Sequence, residues 1–435
     1  MEIIEPKSLP GTMELLPGDQ MLFDEIKNKI EKVYKSFGFL PIDTPAIERS
    51  DVLLAKAGGE TEKQIYRFNK GDNDLCLRFD LTVPLAKYVA ANINDLEFPF
   101  KRYQIAKVYR GEKAQKGRYR EFYQADIDII GKESLSLSND AECAAVIYKI
   151  FSELDFGPFV IYLNNRKIVS GLLGELGLED KKMDVMRILD KFDKIGEEAV
   201  LTCLAEIGVN KSQLKTLINF IKINGTTDNQ LKKLKALLPN NQLFNEGVNE
   251  LENVVNQIRL QGVPEQNVAI NLSIVRGLDY YTGTVFETFL TKYPNIGSVC
   301  SGGRYDNLAG FYTKEKLPGV GVSIGLTRLF YQLREANLIK STKKTTIDCL
   351  VLPMSQNELA YSFEVANILR KNGLNIQVYF EDKKFKNKLA YADKLNIPLL
   401  AIVGEDEVKS NRVTVKNMLT HEQQTIALKD LKKLF

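Results

Sequence analysis

Apolar residues recur at helical spacing from Asp19 to Phe37, where Leu22, Phe23, Ile26, Ile30, Val33, Tyr34 and Phe37 form one stripe. Asp19 stands where a cap belongs and Gly38 ends the run, so the pattern predicts a helix. Phe39-Leu40-Pro41-Ile42-Asp43-Thr44-Pro45 then mixes apolar residues with prolines. Each proline removes a ladder donor, so this segment reads as an edge strand or an interface. A short strand, Leu75 to Phe79, runs into Asp80-Leu81-Thr82-Val83-Pro84 and a following helix. Two longer strand-like runs, Tyr103 to Arg110 and Glu121 to Ile130, flank the basic loop Gly111 to Arg120, the layout of an antiparallel hairpin.

From Ser170 to Arg259 the chain is rich in Leu, Lys, Glu and Asp at helical spacing, with few strand signals, and is taken as a helical insertion. Strand and glycine signals resume from Ala269 to Gly325, ahead of a helix beginning near Leu326. Beyond the polar linker Lys340 to Thr345 the pattern alternates: strand Ile347 to Leu352, helix Asn357 to Lys371, strand Ile376 to Phe380, helix Lys383 to Leu395, strand Leu399 to Val403. That is a compact α/β domain. No short-period repeat or low-complexity tract interrupts the chain.

Composition adds bounds. At 435 residues, 44% hydrophobic and 26% charged, the chain can bury real cores in several domains. A net charge of +3 permits a polyanionic partner without demanding one. Cys76, Cys143, Cys203, Cys300 and Cys349 are scattered, with no CxxC pair, against a zinc site or a disulfide framework. The acidic start Met1-Glu2-Ile3-Ile4-Glu5 lacks the features of a leader, and no apolar run is long enough to span a membrane, so the chain reads as cytoplasmic and full length. Its single histidine, His421, sits in a polar stretch that reads as a solvated turn between two strands. Any mechanism must do without a histidine base or ligand.

Three segments carry candidate chemistry. Arg110 to Arg120 holds five cationic side chains between two strands; arginine binds phosphate oxygens in a planar fork, which suits a nucleotide at Arg110 and an RNA backbone along the loop. A solvated charged loop is the plainer alternative. Arg276-Gly277-Leu278-Asp279-Tyr280-Tyr281-Thr282-Gly283-Thr284 brings together a fixed charge, ring walls and hydroxyls, the parts of a pocket for a small polar aromatic ligand. Ser301-Gly302-Gly303-Arg304-Tyr305-Asp306 reads as a glycine turn, and Gly319 to Arg328 as a buried strand packed against a helix that starts near Arg328. The order of strand, GxGxxG and helix is missing, which discounts a dinucleotide fold.

Taken in order, these segments resemble the class II aminoacyl-tRNA synthetases, and among them the histidyl-tRNA synthetases, over essentially the whole chain. Phe39 to Glu48 resembles the first class II motif, which forms a dimer interface around a proline such as Pro45. Phe100 to Gly131 resembles the second motif and Gly319 to Leu329 the third; Arg276 to Thr284 and Ser301 to Asp306 resemble the segments peculiar to the histidine enzymes. The resemblance implies an α+β catalytic domain with a mainly antiparallel sheet over 1–335, interrupted by a helical insertion at 170–259. A linker at 340–345 and a C-terminal α/β anticodon-binding domain at 346–435 complete it.

It also implies a ligase that activates histidine with ATP to histidyl-adenylate and transfers it to the 3′ end of tRNA(His), as a homodimer with no DNA or membrane partner. Arg110 and Arg276 would face the α-phosphate from opposite sides as catalytic residues, and Arg328 would contact the β- and γ-phosphates, with Mg2+ accompanying ATP and no protein metal ligand assigned. Asp80, Leu81 and Thr82 would hold the histidine α-amino group, although Asp80 or Thr82 equally suits a helix cap. Gln124 and Asp128, on one face of a strand, would reach the carboxylate region and the imidazole; Tyr280, Tyr281 and Tyr305 would line the pocket. Adjacent residues on a strand point oppositely, so one of Tyr280 and Tyr281 is expected to contact the pocket less directly. Lys113, Lys116, Arg118 and Arg120 would track the tRNA acceptor end, and Lys383, Lys384, Lys386 and Lys388 are candidate phosphate contacts in the anticodon-binding domain. The nearest rival is the histidine-binding regulatory subunit of ATP phosphoribosyltransferase, whose members usually lack the C-terminal domain and depart from the catalytic motifs.

Overall fold

A computed structural model describes residues 3–55, 60–113, 117–275 and 280–433. The chain forms two compact units, Met1–Glu14 with Glu25–Ile339 and Leu15–Asp24 with Lys340–Phe435.

The strands of the first unit are β1 (Leu40–Pro41), β2 (Ile47–Arg49), β3 (Arg67–Lys70), β4 (Asn73–Leu77), β5 (Phe100–Tyr109), β6 (Glu121–Ile130), β7 (Phe159–Asn165), β8 (Val268–Ile270), β9 (Thr284–Leu290), β10 (Ser298–Tyr305) and β11 (Gly319–Ile324). Eight of them make one sheet in the order β1-β5-β6-β11-β10-β9-β7-β8, and β2-β4-β3 make a small second sheet. The large sheet is antiparallel except for its two outermost pairs, β1 with β5 and β7 with β8. The proline-bearing segment is indeed an edge strand, only two residues long, as missing donors require.

The hairpin is the long pairing β5 with β6, from Phe100 opposite Ile130 to Tyr109 opposite Glu121. Ala125, Ile127 and Ile129 fill the core on one face of β6, and Tyr34 from the helix Pro17–Ser36 donates its hydroxyl to the Ala125 carbonyl at 2.9 Å. The other face of β6 carries Gln124, Asp126 and Asp128, also buried. A polar face buried under a sheet needs partners or a ligand.

The Ser301–Asp306 segment corrects an expectation. It is not a turn: all but Asp306 belong to β10, in the interior of the sheet between β9 and β11. A Cβ on Gly302 would lie 2.1 Å from the Gly321 carbonyl oxygen, and one on Gly303 would lie 2.9 Å from the Tyr281 ring. These glycines serve close packing across strands, not reversal of the chain.

Between the parallel neighbours β7 and β8, the regular elements of the described residues are helical, from Arg166–Glu175 to Gln242–Leu260. The helices Arg166–Glu175 and Gln242–Leu260 meet where Gly171 has no side chain: a Cβ there would sit 2.6 Å from the Phe244 backbone nitrogen. Neither backbone can yield cheaply. Gly171→Ala is therefore expected to destabilise the protein by about 1–3 kcal/mol, through overpacking. Thermal melting checks this, and an unchanged midpoint would refute the tight contact.

The second unit has β12 (Cys349–Pro353), β13 (Ile376–Val378), β14 (Leu399–Val403), β15 (Arg412–Asn417) and β16 (Gln423–Ala427), in the order β13-β12-β14-β15-β16. Its first three are parallel, joined through the helices Leu359–Lys371 and Phe385–Lys394, and β15 and β16 add an antiparallel edge. His421 lies exposed in the turn between β15 and β16, at φ 61°. Lys388 is not a surface cation as expected: it is 2% exposed, and its Nζ donates to the Pro353 carbonyl at the end of β12 at 2.7 Å. The helix turns Lys388 inward, while Lys383, Lys384 and Lys386 stay exposed.

Candidate active site

A cavity of about 620 Å³ opens in the first unit over β6, β11 and β10. Asp80, Thr82, Arg110, Arg118, Gln124, Asp128, Tyr280, Tyr281, Tyr305 and Arg328 all line it. Arg276 and Lys116 lie outside the described residues.

The floor follows from strand periodicity. Gln124, Asp126 and Asp128 share one face of β6, and Ser323 on β11 pairs opposite Asp126. The Gln124 amide donates to Ser323 Oγ at 2.7 Å, leaving Gln124 Oε1 and Asp126 Oδ1 buried with no partner among the described residues. Both residues line the cavity, and a buried acceptor without a partner calls for a donor. Asp128 is ion-paired to Arg102, which is fully buried, and accepts the Tyr305 hydroxyl at 2.8 Å. Burial raises the Asp128 carboxyl above the usual range, and the Arg102 charge opposes this. A Cβ on Gly321 would sit 2.1 Å from Asp128 Oδ1, so the glycine makes room for that acid.

Asp126 has no cation so close, and burial pushes it up to about 7, with the Arg102 charge opposing. A carboxyl raised in the folded state binds its proton more tightly there than when unfolded. It therefore opposes folding increasingly as pH rises from about 4 to about 7, and the full penalty persists above. The melting temperature of Asp126→Asn should thus gain on the wild type across that window, in the ligand-free protein. A difference constant with pH would exclude an ionising Asp126.

At one wall, Asp80 Oδ1 accepts the amides of Thr82 at 3.1 Å and Val83 at 2.9 Å, so Asp80 both caps the helix Thr82–Ala91 and faces the cavity. Leu81 departs from expectation. It is fully buried, packs with Ala106 and Val108, and offers only its carbonyl, to Arg102 Nη2 at 3.3 Å. An apolar residue between two polar ones at a helix start points into the core.

Arg110, just beyond β5, lies over the rings of Phe79 at 4.4 Å and Phe122 at 5.1 Å, with Nε donating to the Phe79 carbonyl. Burial disfavours its charge and Asp80 supports it; a guanidinium stays charged regardless. Tyr280 and Tyr281 are outside any strand, so alternation does not separate them. Their rings meet edge to face at 5.0 Å, Tyr280 meets Tyr305 at 5.8 Å, and all three line the cavity.

Arg328, near the start of the helix Leu326–Glu335, donates to the Ile296 carbonyl at 3.2 Å. Opposite stands Glu287 of β9, pushed up to about 7 by burial and by the charge of Asp190, with Lys194 and Arg328 opposing. Arg118 lines the mouth, paired with Glu112 at 2.9 Å; Lys113 is exposed, and Arg120 turns away to the Glu112 and Pro10 carbonyls. Among the described residues no three His, Cys, Asp or Glu side chains cluster to hold a metal.

Asp126, Glu287 and Asp190 are cavity residues that the sequence reading does not pick out. Asp126 carries a signal, being two positions from both Gln124 and Asp128, and Glu287 is an acid inside the apolar run Thr284–Leu290. Asp190 has none.

Comparison with known proteins places this cavity in a family context. A family model described as histidyl-tRNA synthetase matches residues 11–329, and one described as anticodon binding domain matches 348–435. The chain is 56% identical over 434 residues to the histidine–tRNA ligase of Clostridium tetani, covering 100% of this chain and 98% of that protein. With that of Finegoldia magna it shares 52% over 429 residues, 99% of each. The crystal structure of histidyl-tRNA synthetase from Nostoc sp. PCC 7120 superposes with a TM-score of 0.89 at 40% identity, covering 100% of both chains. A Bacillus halodurans structure described as an ATP phosphoribosyltransferase regulatory subunit/histidyl-tRNA synthetase matches at 20% identity and a TM-score of 0.76, with 93% of this chain and 99% of that one covered, a likeness of fold alone.

Proposed function

The chain belongs to the histidyl-tRNA synthetase family, and we infer from that membership and from the cavity the reaction it performs: histidine is joined to ATP as histidyl-adenylate, and the histidyl group then passes to the 3′ end of tRNA(His). The residue roles rest on one juxtaposition, an acid- and tyrosine-lined pocket sharing a cavity with Arg110 and Arg328. In the pocket, Asp80 and Thr82 take the α-ammonium, Gln124 the carboxylate region, and Asp128 an imidazole N–H. Tyr280, Tyr281 and Tyr305 wall the ring.

The histidine carboxylate is already a nucleophile. Its oxygen bonds to the α-phosphorus as the bond to the β-phosphate oxygen breaks, and diphosphate leaves. No proton need move, so positioning and charge suffice. Arg110 holds the α-phosphate from the hairpin, and Arg276 meets it from the other side. Arg328 takes the β- and γ-phosphates. Glu287 and Asp190 line the same cavity as Arg328 and would offer carboxylate oxygens to a Mg2+ accompanying ATP, whose charge would offset that of the phosphates. In the second step the terminal ribose hydroxyl attacks the carbonyl carbon, the bond to the phosphate oxygen breaks, and AMP leaves as the hydroxyl proton passes to its phosphate or to water.

For tRNA, the 113–120 loop tracks the acceptor end through Lys113, Lys116 and Arg118, while Arg120, expected there too, is engaged with the Glu112 and Pro10 carbonyls. In the second unit, Lys383, Lys384 and Lys386 lie along the chain from the exposed rings of Phe363 and Phe380, which pack at 5.8 Å, a combination suited to unpaired anticodon bases. Residues 346–435 act as the anticodon-binding domain, 1–335 as the catalytic domain with 170–259 inserted, and 340–345 as the linker. Leu40 and Ile47, exposed on β1 and β2 beside Pro45, suit burial against a second copy in a homodimer. No helix among the described residues is long and apolar enough to cross a membrane; we place the enzyme in the cytoplasm, with no role for DNA.

The test is exchange of pyrophosphate into ATP across all twenty amino acids. Histidine alone should support it. Histidine binding without exchange would favour the regulatory-subunit reading.

A further inference from the structure

β7 ends in Asn164 and Asn165, and the next residue, Arg166, opens the helix Arg166–Glu175. β7 lies inside the large sheet between β9 and β8, and all three residues are buried. Two of these side chains serve backbone carbonyls on either side of the 276–279 segment. Asn164 Nδ2 donates to Ile274 O at 3.0 Å and Leu272 O at 3.4 Å. Arg166 Nε donates to Val275 O at 3.4 Å, and its Nη1 to Tyr281 O at 3.1 Å. The Arg166 amide donates to Gly283 O at 2.9 Å. Residues 271–275 and 280–283 lie outside the strands, so the carbonyls of Leu272, Ile274, Val275 and Tyr281, on buried or half-buried residues, draw on these side chains as donors. One planar guanidinium thus grips the chain at Val275 and again at Tyr281.

We propose that Arg166 is a positioning residue for amino-acid activation: it fixes Val275 relative to Tyr281, the two residues between which the sequence carries Arg276, and so sets how Tyr280 and Tyr281 are presented to the cavity. The inference rests on the role given to Arg276 above. Arg166 is not among the residues lining the cavity, so it acts through the segment it holds. A fork with donors at fixed angles serves two carbonyls together, whereas a lysine ammonium is a single point charge on a flexible stem. The same stretch is steadied from the helical region, where Asp193 Oδ2 accepts Ser273 Oγ at 2.7 Å and Asn271 Nδ2 at 3.3 Å.

The experiment uses the full chain as wild type, Arg166→Lys, Arg276→Ala and the double variant, measuring histidine-dependent pyrophosphate exchange well below the melting temperature of each. Arg166→Lys should lower kcat by roughly 10- to 100-fold and raise the histidine KM several-fold, with the ATP KM within about threefold of wild type. In the Arg276→Ala background the same change should alter kcat by less than about threefold, because the loss is already taken. A kcat within about twofold of wild type, or losses that multiply in the double variant, would overturn the proposal. Should Arg166→Lys not fold, Arg166→Gln takes its place under the same criteria; failure of both to fold assigns the residue to the fold and also overturns it. If Arg276→Ala alone exchanges normally, the role of Arg276 is wrong. The clamp on Tyr281 is then decided by the histidine KM of Arg166→Lys, and an unchanged KM rejects it.

Discussion

Replacing Arg110 with alanine is expected to lower histidine-dependent exchange by about 10²- to 10³-fold, the usual loss when one donor aimed at developing charge is removed. The size follows from how the side chain is held. The guanidinium lies over Phe79, is tied to the Phe79 carbonyl, and faces a cavity where burial already works against its charge. A cation kept in that setting at some cost to the free protein is poised for a phosphate. Because charge on the α-phosphoryl group grows toward the transition state, kcat should fall more than the ATP KM rises. The melting temperature should fall little, since removing a partly desolvated cation leaves few contacts unmet. Arg110→Lys should rescue poorly, as an ammonium does not present a planar fork. Exchange within tenfold of wild type in the alanine variant, or full rescue by lysine, would reject the role.

Arg110 was legible in the sequence because its chemistry and its place at the end of a strand are both local features. Gln124 and Asp128 were legible for a similar reason: a period of two puts both on one face of β6. The same rule puts Asp126 there, but only the pairing of β6 with β11 brings Ser323 across from it and marks it as a cavity residue. Asp80 shows two local readings coexisting, since one carboxyl caps a helix and lines the site.

What periodicity could not supply was long-range contact. Glycines at 302 and 303 read as a turn, and only sheet order shows that strands crowd there instead. Opposite directions for Tyr280 and Tyr281 presuppose a strand, and β9 begins only at Thr284. Glu287 comes from a strand and Asp190 from the turn after the inserted helix Lys182–Leu189, and nothing in either segment announces the other. Nothing within the helix Phe385–Lys394 announces that Lys388 turns inward, because the carbonyl that receives it lies at the end of β12.

Asp128→Asn carries the second large expected effect, and it acts on stability and recognition together. The substitution keeps the shape and removes the charge facing Arg102, a side chain fully buried with Nε and Nη1 unpartnered among the described residues. Leaving one member of a buried pair uncompensated costs about 3–5 kcal/mol, so a marked fall in melting temperature is expected. Histidine recognition should fall as well, with kcat/KM for histidine down by about 10²-fold or more, since a buried group meant for a ligand's N–H is altered. These effects separate in the double variant Arg102→Met with Asp128→Leu. Removing both charges takes away the uncompensated cation, and a well-packed apolar pair is often no less stable than the ion pair it replaces. Stability should therefore recover relative to Asp128→Asn while histidine activation does not. If activation returned along with stability, Asp128 would be part of the scaffold, and the imidazole would have to find its partner among Gln124, Asp126 and the tyrosines.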